Sequence, residues 1–141
     1  MFHTIFHWHS FVEIQSDDGS ILIDPFITWN DLCDIDLVDI RNKNIIAIIV
    51  THWHQDHIWD SVKIAENKDC LVISTLEIVK YLVLEKGLNN THWMNIGWEF
   101  DFGKFSVKFI NALHSGSIEE VWNWYYSNPA GVIVRINWKS I

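Results

Sequence analysis

A continuous β-branched run, Ile45-Ile46-Ala47-Ile48-Ile49-Val50, opens directly into Thr51-His52-Trp53-His54-Gln55-Asp56-His57. Apolar residues in sequence without alternation fit a strand buried on both faces, so the chain must place layers above and below it. The segment that follows has the form His-x-His-x-Asp-His and puts four potential metal ligands, His52, His54, Asp56 and His57, into six residues. On a helix the first two imidazoles would diverge by about 200°. At the mouth of a strand the loop is free to curl, and several imidazoles can converge on one cation. Open α/β sheets hold their sites at this end of the strands. Neutral imidazole and carboxylate suit zinc and similar divalent ions. The plain alternative for the motif is a solvated histidine-rich loop.

The rest of the chain reads as layers around that strand. Thr4–Phe6, Phe11–Ile14 and Ile21–Ile23 read as strands, with hairpin-turn chemistry at Asp17-Asp18-Gly19-Ser20. Asp24-Pro25 stops the third of these, since proline cannot donate to a ladder. Residues 26–44 read as a polar, Asp-rich connection. His57–Asn67 has helical composition, Cys70–Ser74 is a second buried strand, and a helix begins at Thr75-Leu76-Glu77 and ends at Gly87. From Glu99 the apolar period becomes two, through Phe100, Phe102, Phe105, Val107 and Phe109. A long loop carrying His114 and a strand over Val132–Ile136 follow. Strands at both ends with helices between them predict a layered α/β sandwich.

Composition excludes several function classes. The chain has 141 residues, enough for a single domain with a core, and is 49% hydrophobic and 20% charged, which argues against disorder. Its net charge of -8 argues against a grip on nucleic-acid phosphates, which needs clustered Lys and Arg. The apolar runs are too short to span a bilayer, so no membrane partner is expected. The N-terminus lacks a basic stretch followed by an apolar one, so no signal peptide is read. Two cysteines, Cys33 and Cys70, show no metal-type spacing, and a reducing, cytoplasmic location is the default.

The sequence resembles the metallo-β-lactamase superfamily, and within it the small metal-dependent hydrolases related to ascorbate-phosphate lactonase. The resemblance is carried by His9-Ser10, Leu22-Ile23-Asp24-Pro25-Phe26, the Thr51–His57 motif, Met94-Asn95-Ile96-Gly97, Glu99-Phe100-Asp101-Phe102-Gly103, Leu113-His114-Ser115 and Asn128-Pro129-Ala130-Gly131. It implies an αββα sandwich of the metallo-β-lactamase type, of which residues 1–141 form a single domain that is only the N-terminal part. It further implies that His52, His54 and His114 bind a first metal, and that Asp56 and His57 bind a second. Asp56 then also orients the nucleophile, Asp24 lies near the metal-binding loop, and His9 lies beside the site. The implied cofactor is one or two divalent ions, zinc first, with manganese or iron as alternatives. The implied chemistry is metal-assisted hydrolysis, in which a hydroxide generated near neutral pH attacks an ester, lactone or phosphoester of a small-molecule substrate. His3, His7 and His92 have no motif support and read as structural or exposed. Glu119 and Glu120 read as a solvated loop rather than a pocket lining.

The family pattern continues past Val132–Ile136 into a second half, with an Asp in a Gly-Asp-Thr segment that bridges two metals and a final His, and neither can be placed here. Two further readings follow: a non-catalytic remnant or half-domain binding at most one metal, and a simple metal-storage protein. A half-fold is also expected to expose an apolar sheet face and to self-associate, a possible homo-oligomer.

One compositional feature stands apart. The chain has nine Trp and only six Gly, an inversion of ordinary usage. Several Trp sit where glycine is expected, as in Asn137-Trp138-Lys139 after an alternating strand, where Asn-Gly is the favoured turn. All nine, namely Trp8, Trp29, Trp53, Trp59, Trp93, Trp98, Trp122, Trp124 and Trp138, read sensibly as Gly, as if a reassigned UGA codon meaning glycine had been translated as tryptophan. The alternative is a Trp-enriched binding pocket.

Overall fold

The computed structural model describes residues 2–120, 123–136 and 139–141. Strands β1 (Phe2–Phe6), β2 (Val12–Ser16) and β3 (Gly19–Ile23) form an antiparallel meander. The β2–β3 turn falls at Asp17-Asp18 as read from the sequence, and Gly19 takes φ 131, a value that side-chain-bearing residues rarely adopt. The chain then crosses to β4 (Ile45–Ile49), β5 (Leu71–Thr75) and β6 (Thr91–Met94), each parallel to its predecessor in a six-stranded sheet ordered β1-β2-β3-β4-β5-β6. Helices α2 (Gln55–Lys68) and α3 (Leu76–Leu84) make two of the crossovers that parallel pairing demands.

The connection over residues 26–44 is not wholly irregular: it holds a short helix, α1 (Leu37–Asn42). Asp36 accepts from the backbone N–H groups of Val38 and Asp39, and Asp39 returns the favour to the N–H of Asp36. That reciprocal box satisfies the orphan donors of a helix with one buried residue, Ile40.

The β-branched run at β4 explains the layering. Ile48 and Val50 face one way, against Ile40 of α1, Ile58 and Ile64 of α2, and Ile78 and Leu82 of α3. Ala47 and Ile49 face the other way, with Ile21 and Ile73, against a second sheet. That sheet is ordered β12-β11-β8-β7, from β7 (Glu99–Asp101), β8 (Ser106–Asn111), β11 (Ala130–Ile136) and β12 (Lys139–Ser140). A separate two-stranded hairpin, β9 (Ser117–Glu120) and β10 (Asn123–Tyr126), occupies what the sequence reads as a long loop. The alternation seen from Glu99 onward now has its cause. Phe105, Val107 and Phe109 point into the space between the sheets, where they meet Val134 and Ile136.

The described residues thus supply helices, sheet and sheet, three layers of the sandwich. The expected bare apolar sheet face is not found on the first sheet, because β8 and β11 cover it. The outer face of the second sheet is mixed: Ser106 and Lys108 stand beside the exposed Ile110 and opposite Asp101 and Glu99, and Arg135 pairs with Glu99.

A buried charged cluster pins the meander to the crossover. Glu13 is fully buried, yet Lys43 reaches its Oε2 at 2.6 Å, the Ser20 hydroxyl donates to Oε1 at 2.7 Å, and His7 Nε2 stands 3.0 Å from Oε2. On its other side His7 Nδ1 meets Asp34 at 2.5 Å. Burial alone would push the Glu13 carboxyl up, but the bonds from Lys43, Ser20 and His7 outweigh it and hold the group below its ordinary value. A carboxylate depressed in the folded state stabilises the fold above its unfolded pKa of about 4.3, and that contribution disappears as pH falls through the lower folded value. Glu13→Ala should therefore cost about 3 kcal/mol in urea unfolding at pH 7, because Lys43 and His7 lose their shared counter-charge. The difference from the parent should shrink below pH 4, and a pH-independent difference would show that the charge is not what matters.

Candidate metal centre

The first residue to consider is Asp24, at the end of β3. Its backbone N–H donates to Ile49 O at 2.9 Å, and it takes φ 46, which Asp tolerates better than most residues. Its carboxylate accepts Thr51 N–H at 2.8 Å on Oδ1 and the Thr51 hydroxyl at 2.6 Å on Oδ2. Thr51 Oγ1 also lies 2.8 Å from His52 Nδ1. The threonine has one hydroxyl proton and gives it to Asp24, so the ring nitrogen must donate in the second contact. His52 therefore carries its proton on Nδ1, and its bare Nε2 points toward His54, 3.0 Å from that ring's Nδ1.

His54 sits at the N-cap of α2 with no side-chain capping bond, so its imidazole is released from the helix. Its Nε2 lies 3.2 Å from the Ser115 hydroxyl, and its Nδ1 lies 3.3 Å from His114 Nε2. The residue sixty positions away thus closes on the motif: the His114 ring centroid is 4.8 Å from that of His52 and 4.9 Å from that of His54. A backbone bond from Ala130 N–H to Thr51 O at 3.0 Å fastens the second sheet to the same loop.

A second group forms from the first turn of α2. Asp56 Oδ2 is 3.2 Å from His9 Nε2 and 3.7 Å from His57 Nε2. An acidic residue there is favoured by the positive end of the helix. His57 Nδ1 lies 2.8 Å from Asp24 Oδ2, although the two are not aligned as a hydrogen bond. Three sets of ligand atoms therefore each converge within 4.8 Å: His52 with His54 and His114, His9 with Asp56 and His57, and Asp24 with His52 and His57.

Whether a cation fits can be judged from the donors. Nitrogens bound tetrahedrally at about 2.05 Å lie about 3.3 Å apart, and the 3.0 and 3.3 Å separations above match that spacing. The protonation states match as well. Burial, then the proximity of His57, His54 and His114, pushes the His52 pKa down to about 3, so it stays neutral, the form that ligates. Burial and the neighbouring His114 lower that of His54 too.

The remaining sequence candidates fall elsewhere. His92 packs on Phe100 and Phe102, with ring centroids at 4.3 and 5.0 Å, and His7 belongs to the Glu13 cluster. His3 is exposed. Cys33 and Cys70 are free thiols, and burial pushes Cys70 up to about 11, far from a reactive range. The side chains of Glu119 and Glu120 lie outside the described residues. Sequence reading missed Thr51 and Ser115, whose hydroxyls orient two of the imidazoles. It also missed Asp60, which is buried on α2 and accepts from Ile27 N at 2.8 Å, Thr28 N at 2.7 Å and the Thr28 hydroxyl at 2.7 Å. An acidic residue on the otherwise apolar side of a helix was the only signal for Asp60, and its partners are more than thirty residues away.

The sequence pattern of the metallo-β-lactamase superfamily matches residues 9–121. The chain belongs to that superfamily. Among its relatives, a metal-dependent hydrolase of Staphylococcus carnosus is 36% identical over 140 residues, and one of Geobacillus thermodenitrificans is 39% identical over 140 residues. In each case the match covers 96% of this chain and 59% of the relative. Among solved structures, Igni18, a metallo hydrolase from the hyperthermophilic archaeon Ignicoccus hospitalis, superposes with a TM-score of 0.84 at 26% identity and covers 99% of this chain and 58% of that one. The chain thus spans about three-fifths of the length of the superfamily members it matches. Among the described residues no helix is long and apolar enough to cross a membrane.

The Asp60 bonds anchor the 26–28 loop of this superfamily member to α2. Asp60→Ala strands two backbone donors and should lower stability by about 3 kcal/mol. Thermal melting checks it, and an unchanged midpoint would mean that water replaces the carboxylate.

Proposed function

We propose that this stretch supplies the metal-binding part of a metal-dependent hydrolase, with His52, His54 and His114 holding a first divalent ion and Asp56, His57 and His9 a second. The approach of His114 to His54 across sixty residues is the observation that carries this reading. The donor set, imidazole with carboxylate, favours zinc, with manganese and iron acceptable to the same ligands. A bound divalent ion supplies an acidified water and polarises the oxygen of the bond under attack.

The chain's own residues do the positioning. Asp24 and Thr51 hold His52 in the tautomer whose Nε2 faces the centre. Ser115, from the other loop, meets His54 at Nε2 and leaves its Nδ1 facing His52 and His114. Asp56, partly exposed beside His9 and His57, is placed to orient a nucleophilic water and to take up its proton. His54 is half-buried and His114 exposed, so the substrate approaches from their side. A small molecule with an ester, lactone or phosphoester bond fits this arrangement. Two free thiols accord with a reducing, cytoplasmic setting.

A second reading for these residues taken by themselves is the binding of one cation without turnover, at the group His52, His54 and His114. Titration with zinc against a chelating dye separates the two, together with hydrolysis assays on lactone and phosphodiester substrates. Two equivalents of metal with turnover support the enzyme, and one equivalent without turnover supports the binding protein.

His54→Ala should abolish the tighter metal equivalent, and unchanged stoichiometry and affinity would refute the ligand assignment. Thr51→Val removes the support of His52 and the hydroxyl bond to the buried Asp24, and should weaken that equivalent by about 10- to 100-fold while lowering stability by about 1 to 3 kcal/mol.

A further inference from the structure

Among the described residues, five that are not glycine have positive φ: Trp8, His9, Asp24, Trp29 and Asp69. Asp and His are the residue types enriched in that region, where their short polar side chains find local partners. A bulky indole has no such excuse, and both remaining members of the set are tryptophan. Their values, φ 69 at Trp8 and φ 68 at Trp29, fall beside the φ 70 of Gly87.

Local hydrogen bonding shows that the backbone, not the side chain, sets these conformations. Asn30 N–H donates to Ile27 O at 3.2 Å, which places Trp29 third in a four-residue turn. With positive φ there the turn is of type II, whose third position calls for glycine. At the other site, Phe11 N–H donates to Trp8 O at 3.2 Å and His7 N–H to Phe11 O at 2.9 Å, closing the tight bend that presents His9. Neither indole is buried: Trp8 is 50% exposed beside Phe6, and Trp29 is 70% exposed beside Trp59. Elsewhere, Trp93 and Trp98 are also exposed and lean on each other at 5.5 Å.

We propose that the natural protein carries glycine at positions 8 and 29, and that all nine tryptophans of this sequence stand for one codon, UGA, which its source reads as glycine. Nine Trp against six Gly then becomes fifteen Gly and no Trp, which removes the inversion. Trp53 is the member that packs well, buried against Tyr81, and it enters through the shared codon rather than through its conformation. Trp122 and Trp138 lie outside the described residues and enter in the same way.

The assignment changes what the site is. The Trp29–Trp59 pair, with Lys63 Nζ 6.0 and 5.3 Å from the two ring centroids, looks like an aromatic shelf for a ligand. With glycine there it is open backbone. Position 8 beside His9 becomes a place where a substrate can approach the main chain closely, whereas at position 53 the change empties core space beside Tyr81.

Two experiments test this. Peptide mass spectrometry of the protein from its own cells, read beside its coding sequence, should give glycine at positions 8 and 29 and UGA at all nine codons. Tryptophan at 8 and 29 overturns the proposal; glycine there with UGG codons elsewhere overturns the single-codon part. In the recombinant full chain, Trp8→Gly and Trp29→Gly should each raise the unfolding midpoint, whereas Trp8→Ala and Trp29→Ala should not, since a Cβ keeps the positive-φ penalty. Alanine variants as stable as the glycine ones would overturn the conformational argument.

Discussion

The bond from the Thr51 hydroxyl to Asp24 is the contact on which the geometry of the candidate site turns. It joins the end of β3 to the end of β4 at the point where the central sheet hands the chain to the His52–His57 loop. Because the threonine proton is committed to a carboxylate, the adjoining imidazole has one tautomer open to it, and the free nitrogen of His52 faces the other histidines. Asp24 stays in place because its own N–H is tied to Ile49 and its carboxylate also holds the Thr51 N–H. A sheet bond, a turn and a side-chain relay thus combine to aim one lone pair.

That aim depends on the strand behind it. β4 is buried on both faces, so a slip of one residue would exchange its helix-facing and sheet-facing sets and rotate the motif away from the site. The β-branched run tolerates little else, since every position from Ile48 to Val50 is fully enclosed. The packing that makes the strand immovable is also what brings His114 into range. Val107 and Phe109 seat β8 against Ala47 and Ile49, and the chain leaving β8 arrives over the motif.

The parts that could be read from the sequence share one property: their cause is local. The β4 run and the His-x-His-x-Asp-His loop are contiguous, and the β2–β3 turn is set by its own Asp-Asp-Gly. Helix α1 escaped because six residues show too little periodicity, although its capping pair, Asp36 and Asp39, was in view. Strand β6 escaped because Thr-His-Trp-Met does not alternate; it is a strand because β5 offers a parallel edge to pair with. The β9–β10 hairpin lacks the turn residues that announce one. His114 came from a resemblance, since nothing in Leu113-His114-Ser115 points to a partner sixty residues earlier. Asp60 and Ser115 were out of reach for the same reason.

The distribution of burial over the histidines has a mechanical consequence. His52 and His57 are buried within the frame of strands and the first turn of α2, whereas His114 is exposed on a connecting segment. Side-chain contacts to His54 from His114 and Ser115, together with the Ala130 to Thr51 backbone bond, hold that segment's neighbourhood to the motif. Exposed contacts between neutral groups contribute on the order of 1 kcal/mol each. A divalent ion shared among His52, His54 and His114 would add a far stronger link, and its binding energy would appear as closure of that segment over the site. Of these three histidines, His52 is set before any ion arrives, and His114 is the one through which binding would tighten the molecule.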